Sequence, residues 1–548
     1  MPPNALPKPT DQSESPVPPT SIAPLETWKD RFFSFRALAL ILIAIGAAAL
    51  TGLVALYFRQ ADIYGSDMFL QLHGMDTILG VSLPGGTGVW LSAALVIVAM
   101  VAIIVLRDTF FPGTEGTGIP QAIACLKVPD SGFRKYMLSI RIAIGKIILL
   151  TMGLFGGMTI GREGPSVHVG ACLMYLVTKV RRFPDHLVQR GLILAGGGAG
   201  IAAAFNAPIA GMIFAFEEIG RSFEKNNAAT IVRTVLIASL VVIASLGWDY
   251  LFYGQVTHEF GFEPLHWLCA AIIGVIGGFL GGFFALLVVR GTPIVTRCLR
   301  RARWLTAAGL GLALAITGIL SQGQSYGSGY PQARAILIYR DTDYYQTLGV
   351  SHDADQEAIR MAYENLAHAQ TLLDDKGHVI ERTLEIEGAY KTLSDPNERA
   401  YYDRWVVDQG DYPWWYAPAK ATGSFFSLIS GIPGGLFDPS LSVGAGLGDI
   451  CADVCHDFFG GIRPQFVILL FMVAYFAGVV QSPITVFVIM IEMTDARYAT
   501  LPLMMTAIIA YECSSLVCKT AIYEALAEIF LGNVKKRAQA KGEQVPSG

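Results

Sequence analysis

The chain has 548 residues, 53% of them hydrophobic and 15% charged, with a formal net charge of −4. A soluble chain of this size carries roughly 25% charged residues, so a soluble globular protein is excluded. The mean hydropathy of +0.47 agrees.

The first 27 residues are rich in Pro and Ser and read as a disordered tail with no cleavable signal peptide. Lys29, Arg31 and Arg36 precede the first apolar run, Ala37–Leu56, which predicts a cytosolic N-terminus. Further apolar runs follow at Trp90–Leu106, Val235–Leu246, Cys269–Val289 and Phe466–Val480. Several approach the ~20 residues that a helix needs to cross a bilayer. Others are shorter and broken by Gly or Pro, which suits half-helices that enter the membrane and stop inside protein. The predicted fold is an all-α polytopic membrane protein with re-entrant half-helices. All eight cysteines lie in or beside apolar segments. Cys451 and Cys455 fall one helical turn apart, with His456 beside them; without a second cluster they predict packing and no metal site.

Self-comparison shows an internal repeat. Gly116-Thr117-Gly118-Ile119-Pro120-Gln121-Ala122 recurs as Gly327-Ser328-Gly329-Tyr330-Pro331-Gln332-Ala333. Gly161-Arg162-Glu163-Gly164-Pro165-Ser166 recurs as Gly435-Leu436-Phe437-Asp438-Pro439-Ser440. Pro208 and Glu217 recur as Pro483 and Glu492 at the same separation. Three matches in one order make the chain two copies of one ancestral unit. The spacing between copies lengthens by about 60 residues after the first motif, which locates an insertion between Ala333 and Gly434.

That interval holds a stretch unlike its surroundings. From Arg340 to Asp411 there are 16 Asp or Glu and 7 Lys or Arg, the composition of a soluble domain. Ile359, Ala362, Tyr363 and Leu366 form one stripe of a helix over Ala354–Ala369. A second helix is predicted over Val379–Leu393, with Ile380, Leu384, Ala389 and Leu393 buried and Ser394-Asp395-Pro396 as its stop. Asp343-Tyr344-Tyr345, Leu348-Gly349-Val350, Ala389-Tyr390 and Leu393-Ser394-Asp395-Pro396 followed by Arg399 and Tyr402-Asp403 resemble a J-domain over about 60 residues. That family uses a His-Pro-Asp turn to stimulate a partner ATPase. Thr371-Leu372-Leu373 stands at the corresponding place, so the resemblance is one of fold, and the partner of the segment is unknown. The predicted domains are therefore a tail over 1–27, a membrane domain over 28–339 and 412–532, the insert over 340–411, and a polar tail over 533–548.

An anion inside a membrane needs compensation for lost hydration without a fixed charge that would trap it. Helix N-termini supply this through free N–H groups and the macrodipole. Glycine lets backbone approach the ion, and proline starts a helix without wasting a donor. Gly116, Thr117, Gly118, Ile119 and Pro120 fit this, with the Thr117 hydroxyl free to donate; so do Gly161, Arg162, Glu163 and Gly164, and Gly435, Leu436 and Phe437. Tight turns between helices are the alternative reading, and the duplication weighs against it. Acidic residues in apolar helices are the second signal, because each is costly there. Glu163 is read either as an N-cap or as a carboxyl that competes with the anion for one seat and swings away when protonated. Of Glu217 and Glu218, one is expected to pair with Arg221 and the other to accept a proton from the interior side. Glu492 is flagged on the same ground.

Gly116–Pro120, Gly161–Pro165, Ala204-Phe205-Asn206-Ala207-Pro208-Ile209-Ala210-Gly211 and Gly435–Pro439 resemble the ion-site motifs of the CLC chloride channel and transporter family. The likeness spans about residues 30–530 except the insert. It implies an inverted-repeat fold and a homodimer with one pore per subunit. It also implies that Glu163 is the gating glutamate, Glu218 the internal proton glutamate found in exchangers, and Tyr523 a hydroxyl ligand of the anion. Thr117 stands where the family's usual selectivity serine is. The function implied is Cl-/H+ antiport, with a passive chloride channel as the alternative and a membrane-tethered chaperone adaptor as a third reading. Chloride is the substrate and no cofactor is required. No phosphate-binding glycine loop and no nucleophile–base constellation argues for an enzyme or a nucleic-acid role.

Basic clusters at Lys29–Arg36, Arg134–Arg141, Lys179–Arg190, Arg221–Arg233, Arg297–Arg303 and Lys535–Lys541 predict those sites to be cytosolic. Inverted halves then put the insert outside, in a chain set in a prokaryotic inner membrane with both termini inside.

Overall fold

A computed structural model describes residues 35–541, apart from 79–80, 83–85, 129–130, 181–185, 222–224, 248–249, 255, 257–262, 341–342, 370–380 and 408–411. The chain divides into the units Met1–Ile43 and Ala44–Gly548. The N-terminal tail, most of the first basic cluster and the Thr371-Leu372-Leu373 position lie outside the described residues, as do parts of Lys179–Arg190 and of the C-terminal tail. The regular structure described is helical except for a pair of two-residue strands, Thr77–Ile78 with Val81–Ser82, and one isolated bridge between Gly161 and Gly435.

Among the described residues, seven helices are long and apolar enough to cross a membrane, including Thr87–Phe110, Pro264–Arg301 and Arg303–Leu320. Their outward positions are apolar too: Leu305, Leu320 and Leu516 are all exposed. In water such a surface would aggregate; in a bilayer it faces lipid. The chain is a multi-pass integral membrane protein.

Shorter helices are packed inside this shell. Every residue from Phe466 to Val480 of the helix Pro464–Val480 is buried. Its neighbours Phe437–Phe458, Pro264–Arg301 and Thr500–Val517 enclose it. Close approach is what allows this, as a Cβ on Gly281 would strike the Tyr475 carbonyl. The pairing of Phe437–Phe458 on Pro464–Val480 repeats, in the second half, the pairing of Glu163–Val180 on His186–Phe205 in the first. The repeat seen in sequence is therefore a repeat of structure.

The acidic stretch forms the helices Tyr344–Leu348, Gln356–Ala369, Glu381–Ser394 and Pro396–Tyr402. Asp343 caps the first, accepting from the Tyr345 and Gln346 amides. Ile359, Ala389 and Leu393 are buried as expected, and Ile386 joins them. Ala362, Tyr363 and Leu366 pack at the edge of this small core. Ile380 and the Leu384 side chain fall outside the described residues. The helix does stop at Ser394, and a new one starts at Pro396.

This core also takes in Ala335 and Tyr339 of the helix Tyr330–Tyr339. Arg334 of that helix pairs with Glu398 at 2.7 Å and lies over the Tyr401 ring, whose hydroxyl donates to the Pro331 carbonyl at 2.6 Å. Arg340 pairs with Asp449 at 2.9 Å, and Arg404 with Asp67. The acidic segment is thus fastened to the helix that begins at the second-half glycine motif.

Candidate anion and proton path

Equivalent residues of the two halves meet at one point. Gly161 N–H donates to the Gly435 carbonyl at 2.8 Å, and Gly435 N–H donates to the Gly161 carbonyl at 2.5 Å. Reciprocal bonds between equivalent residues place the pseudo-twofold axis between them. The helices Glu163–Val180 and Phe437–Phe458 both begin within two residues of that axis. Only glycine fits at this crossing, since a Cβ at either position would collide with the Glu163 carboxylate. That carboxylate therefore sits over the junction of the two halves.

The first repeated motif forms the other two helix starts. Gly118 precedes Ile119–Lys127 with φ 98°, and Gly329 precedes Tyr330–Tyr339 with φ 87°, and Pro120 and Pro331 occupy their first turns. Both angles lie in the left-handed region that favours glycine. Two buried lysines hold these loops. Lys146 Nζ donates to the Gly116 carbonyl at 2.5 Å. Lys420 Nζ donates to the Tyr326 carbonyl at 2.8 Å and the Gly327 carbonyl at 3.1 Å. Gly116 and Gly327 open the two copies of the motif, so one device serves both. Each ammonium takes up the negative ends of the loop's peptide dipoles from one side.

Between these helix starts lie polar groups with no hydrogen-bond partner among the described residues. The hydroxyls of Thr117 and Tyr523 are buried and unpartnered. So are both Glu163 oxygens and all three nitrogens of the Arg162 guanidinium. Arg162 lies 5.1 Å over the Phe252 ring and 5.8 Å from that of Tyr330. Gly164 backs onto Thr117, where a Cβ would clash. Leu436 and Phe437 are buried, and the Phe437 ring lies 6.3 Å from Tyr523 and 4.6 Å from Phe476. The Tyr523 hydroxyl is within electrostatic reach of both Glu163 and Glu218. Buried donors left unpaired cost roughly 1–3 kcal/mol each, and a site that carries several in one place is built for an occupant that accepts hydrogen bonds.

Glu218 is buried on the π-helical turn Ala215–Gly220 and accepts from the Ser482 hydroxyl, while its second oxygen is unpartnered. It borders an open cavity of about 810 Å³, lined also by Glu217, Arg221, Gln481, Lys519 and Glu524. The structure corrects the expectation for Arg221, which pairs with Glu524 and with neither neighbouring glutamate. Glu217 instead accepts from the Ile484 amide at 3.1 Å and the Thr485 amide at 2.6 Å, at the start of Pro483–Thr494. Glu492 does the same for Pro208–Phe214, accepting from the Ile209 and Ala210 amides at 3.1 and 2.7 Å. Each half thus caps the proline-started helix of the other, which is what the shared spacing of Pro208–Glu217 and Pro483–Glu492 encodes. Glu492 therefore works as a cap.

Sequence reasoning missed five buried polar residues around the crossing: Asp62, Lys146, Tyr253, Lys420 and Asp438. One signal was available. Lys146 and Lys420 stand at equivalent places in the two halves, at the spacing that relates Gly161 to Gly435.

The family model described as "Voltage gated chloride channel" matches residues 94–515. The H(+)/Cl(-) exchange transporter ClcA of Vibrio vulnificus (strain YJ016) is 25% identical over 521 residues, covering 92% of this chain and 93% of that one. The protein of the same name from Vibrio parahaemolyticus is 27% identical over 517 residues, with 91% and 92% covered. Among solved structures, a slow cyanobacterial Cl-/H+ antiporter superposes with a TM-score of 0.65 at 20% identity, covering 90% of this chain and 98% of that one.

Proposed function

The chain belongs to the voltage gated chloride channel family, and on that premise we propose that it is a secondary transporter exchanging chloride for protons across a membrane. One observation carries this reading: the unpartnered hydroxyls of Thr117 and Tyr523 lie beside a carboxylate seated where the two halves cross. Chloride accepts from those hydroxyls and from the helix-start amides, and Glu163 competes for the same seat when ionised and leaves it when protonated. Glu218 delivers the proton from the 810 Å³ cavity, and the Tyr523 hydroxyl is within electrostatic reach of both carboxyls. No cofactor enters the cycle, and no bond in a substrate is made or broken.

The test is a flux measurement on purified protein in liposomes. Outward chloride flux is expected to drive protons inward, and Glu218→Ala to stop the protons while chloride continues. Chloride movement without opposing proton movement in the unaltered protein supports a passive channel instead.

The same reading makes the protein a homodimer with one path per subunit. It sets the protein in a prokaryotic inner membrane with both termini cytosolic. The segment 340–411 is an inserted module of J-domain-like fold on the outer side, without co-chaperone activity. The excess of basic residues at the opposite set of connections supports that orientation. Protease added to intact spheroplasts is expected to cut within 340–411, and full protection of the segment would reverse the orientation.

A further inference from the structure

Asp438 occupies the place in the second half that Gly164 occupies in the first. Its carboxyl is fully buried on the first turn of Phe437–Phe458. It lies within hydrogen-bonding reach of the Glu163 carboxyl, yet among the described residues no N–H or O–H donates to any of the four oxygens. Two carboxylates facing each other without a donor repel strongly in a low-dielectric interior; one proton between them converts the repulsion into a hydrogen bond.

The surroundings contain one further unused charge. The Arg162 guanidinium, itself without an acceptor, lies within electrostatic reach of Glu163, Asp438 and Asp62. Lys420 also faces Asp438 but is occupied by its loop carbonyls, and Tyr253 faces both Asp438 and Glu163 with an unpartnered hydroxyl. Asp62 is bonded by Ser328 at 3.1 Å. Around Asp438 the charged groups thus comprise two cations and two other carboxyls, and one of those cations is already committed elsewhere.

We propose that Asp438 is a third proton-carrying residue of the exchange reaction, beside Glu163 and Glu218, sharing one proton with Glu163 at the crossing of the two halves and passing it between Glu163 and the side that carries the 340–411 segment. The step is a simple transfer. The O–H bond of the Glu163 acid breaks, the proton passes to the Asp438 carboxylate to form its acid, and water on that side takes it from Asp438. Glu163 is left as the carboxylate that reoccupies the anion seat. The pair carries one negative charge during the transfer and two once water has taken the proton, when Arg162, within electrostatic reach of both carboxylates, offsets their repulsion.

This inference rests on the exchanger reading, and one experiment separates the two. Chloride and proton fluxes of Asp438→Ala, Asp438→Asn and Asp438→Glu are measured in liposomes over a range of pH on the segment's side, beside the unaltered protein. Unaltered protein without coupled protons defeats the exchanger reading itself. With coupling present, Asp438→Ala and Asp438→Asn are expected to lower proton flux about tenfold. Their chloride-flux profile is expected to move towards acid by about one pH unit, since Glu163 then loses the neighbouring carboxylate and on the segment's side exchanges its proton with water alone. Asp438→Glu is expected to restore both. Unchanged proton flux and pH profile in Asp438→Ala and Asp438→Asn overturn the proposal. So does a loss that Asp438→Glu fails to restore in protein that still elutes as a single folded species.

Discussion

Glu163→Ala is expected to bring proton movement to background, a fall of at least about tenfold, while chloride continues to flow. The reason lies in the position of the side chain. Its carboxylate rests on the paired backbones of Gly161 and Gly435 and accepts from no donor among the described residues. A group in that place has two uses, to occupy the seat when charged and to carry a proton when neutral. Alanine has neither, so the seat stays open to the anion and no carrier remains. Glu163→Gln separates the two uses, because it keeps the shape and loses the proton chemistry. Proton and chloride fluxes recorded together in liposomes decide the matter. Persistent coupling in both variants would mean that protons travel by another route.

The second large effect is on affinity. Thr117→Val keeps the shape of the side chain and Tyr523→Phe keeps the ring; each removes one buried hydroxyl that has no partner within the protein. A hydrogen bond to a charged group contributes about 1.5–3 kcal/mol, so each change is expected to weaken chloride binding roughly 10- to 100-fold. Calorimetric titration of chloride into the detergent-solubilised protein reads this directly. If both variants bind as well as the unaltered chain, the anion does not sit between these hydroxyls. The paired replacement is expected to lose less than the sum, because both donors address one ion.

The helix starts were legible in the sequence because their chemistry is local. A glycine in a left-handed conformation followed by a proline in the first helical turn leaves a signature in adjacent letters, and the duplication told it apart from ordinary turns. The displaced spacing located the acidic segment, whose helix Gln356–Ala369 begins two residues after its expected start. What was not legible depends on distant partners. Asp438 and Asp62 read like carboxylates anywhere, since only the fold brings them to Arg162. Arg221 was assigned to its neighbours in the chain and turned to Glu524, three hundred residues on. Glu492 was read as costly and is satisfied by two amides of the other half. In each case the missing information was which backbone or side chain of one copy faces the other.

The meeting of Gly161 with Gly435 has a bearing on how such a chain arose. A ring of two mutual bonds between matching residues is the contact that two identical half-length chains make at their shared axis when they lie in opposite directions. The joint therefore makes chemical sense before the halves were fused, and fusion had only to link ends that were already held. It also explains why the copies diverged unevenly. Glu163 and Phe437, Gly164 and Asp438 are matching positions with different occupants, while the two glycines between which the axis runs are the same, since a Cβ on either would strike the Glu163 carboxylate.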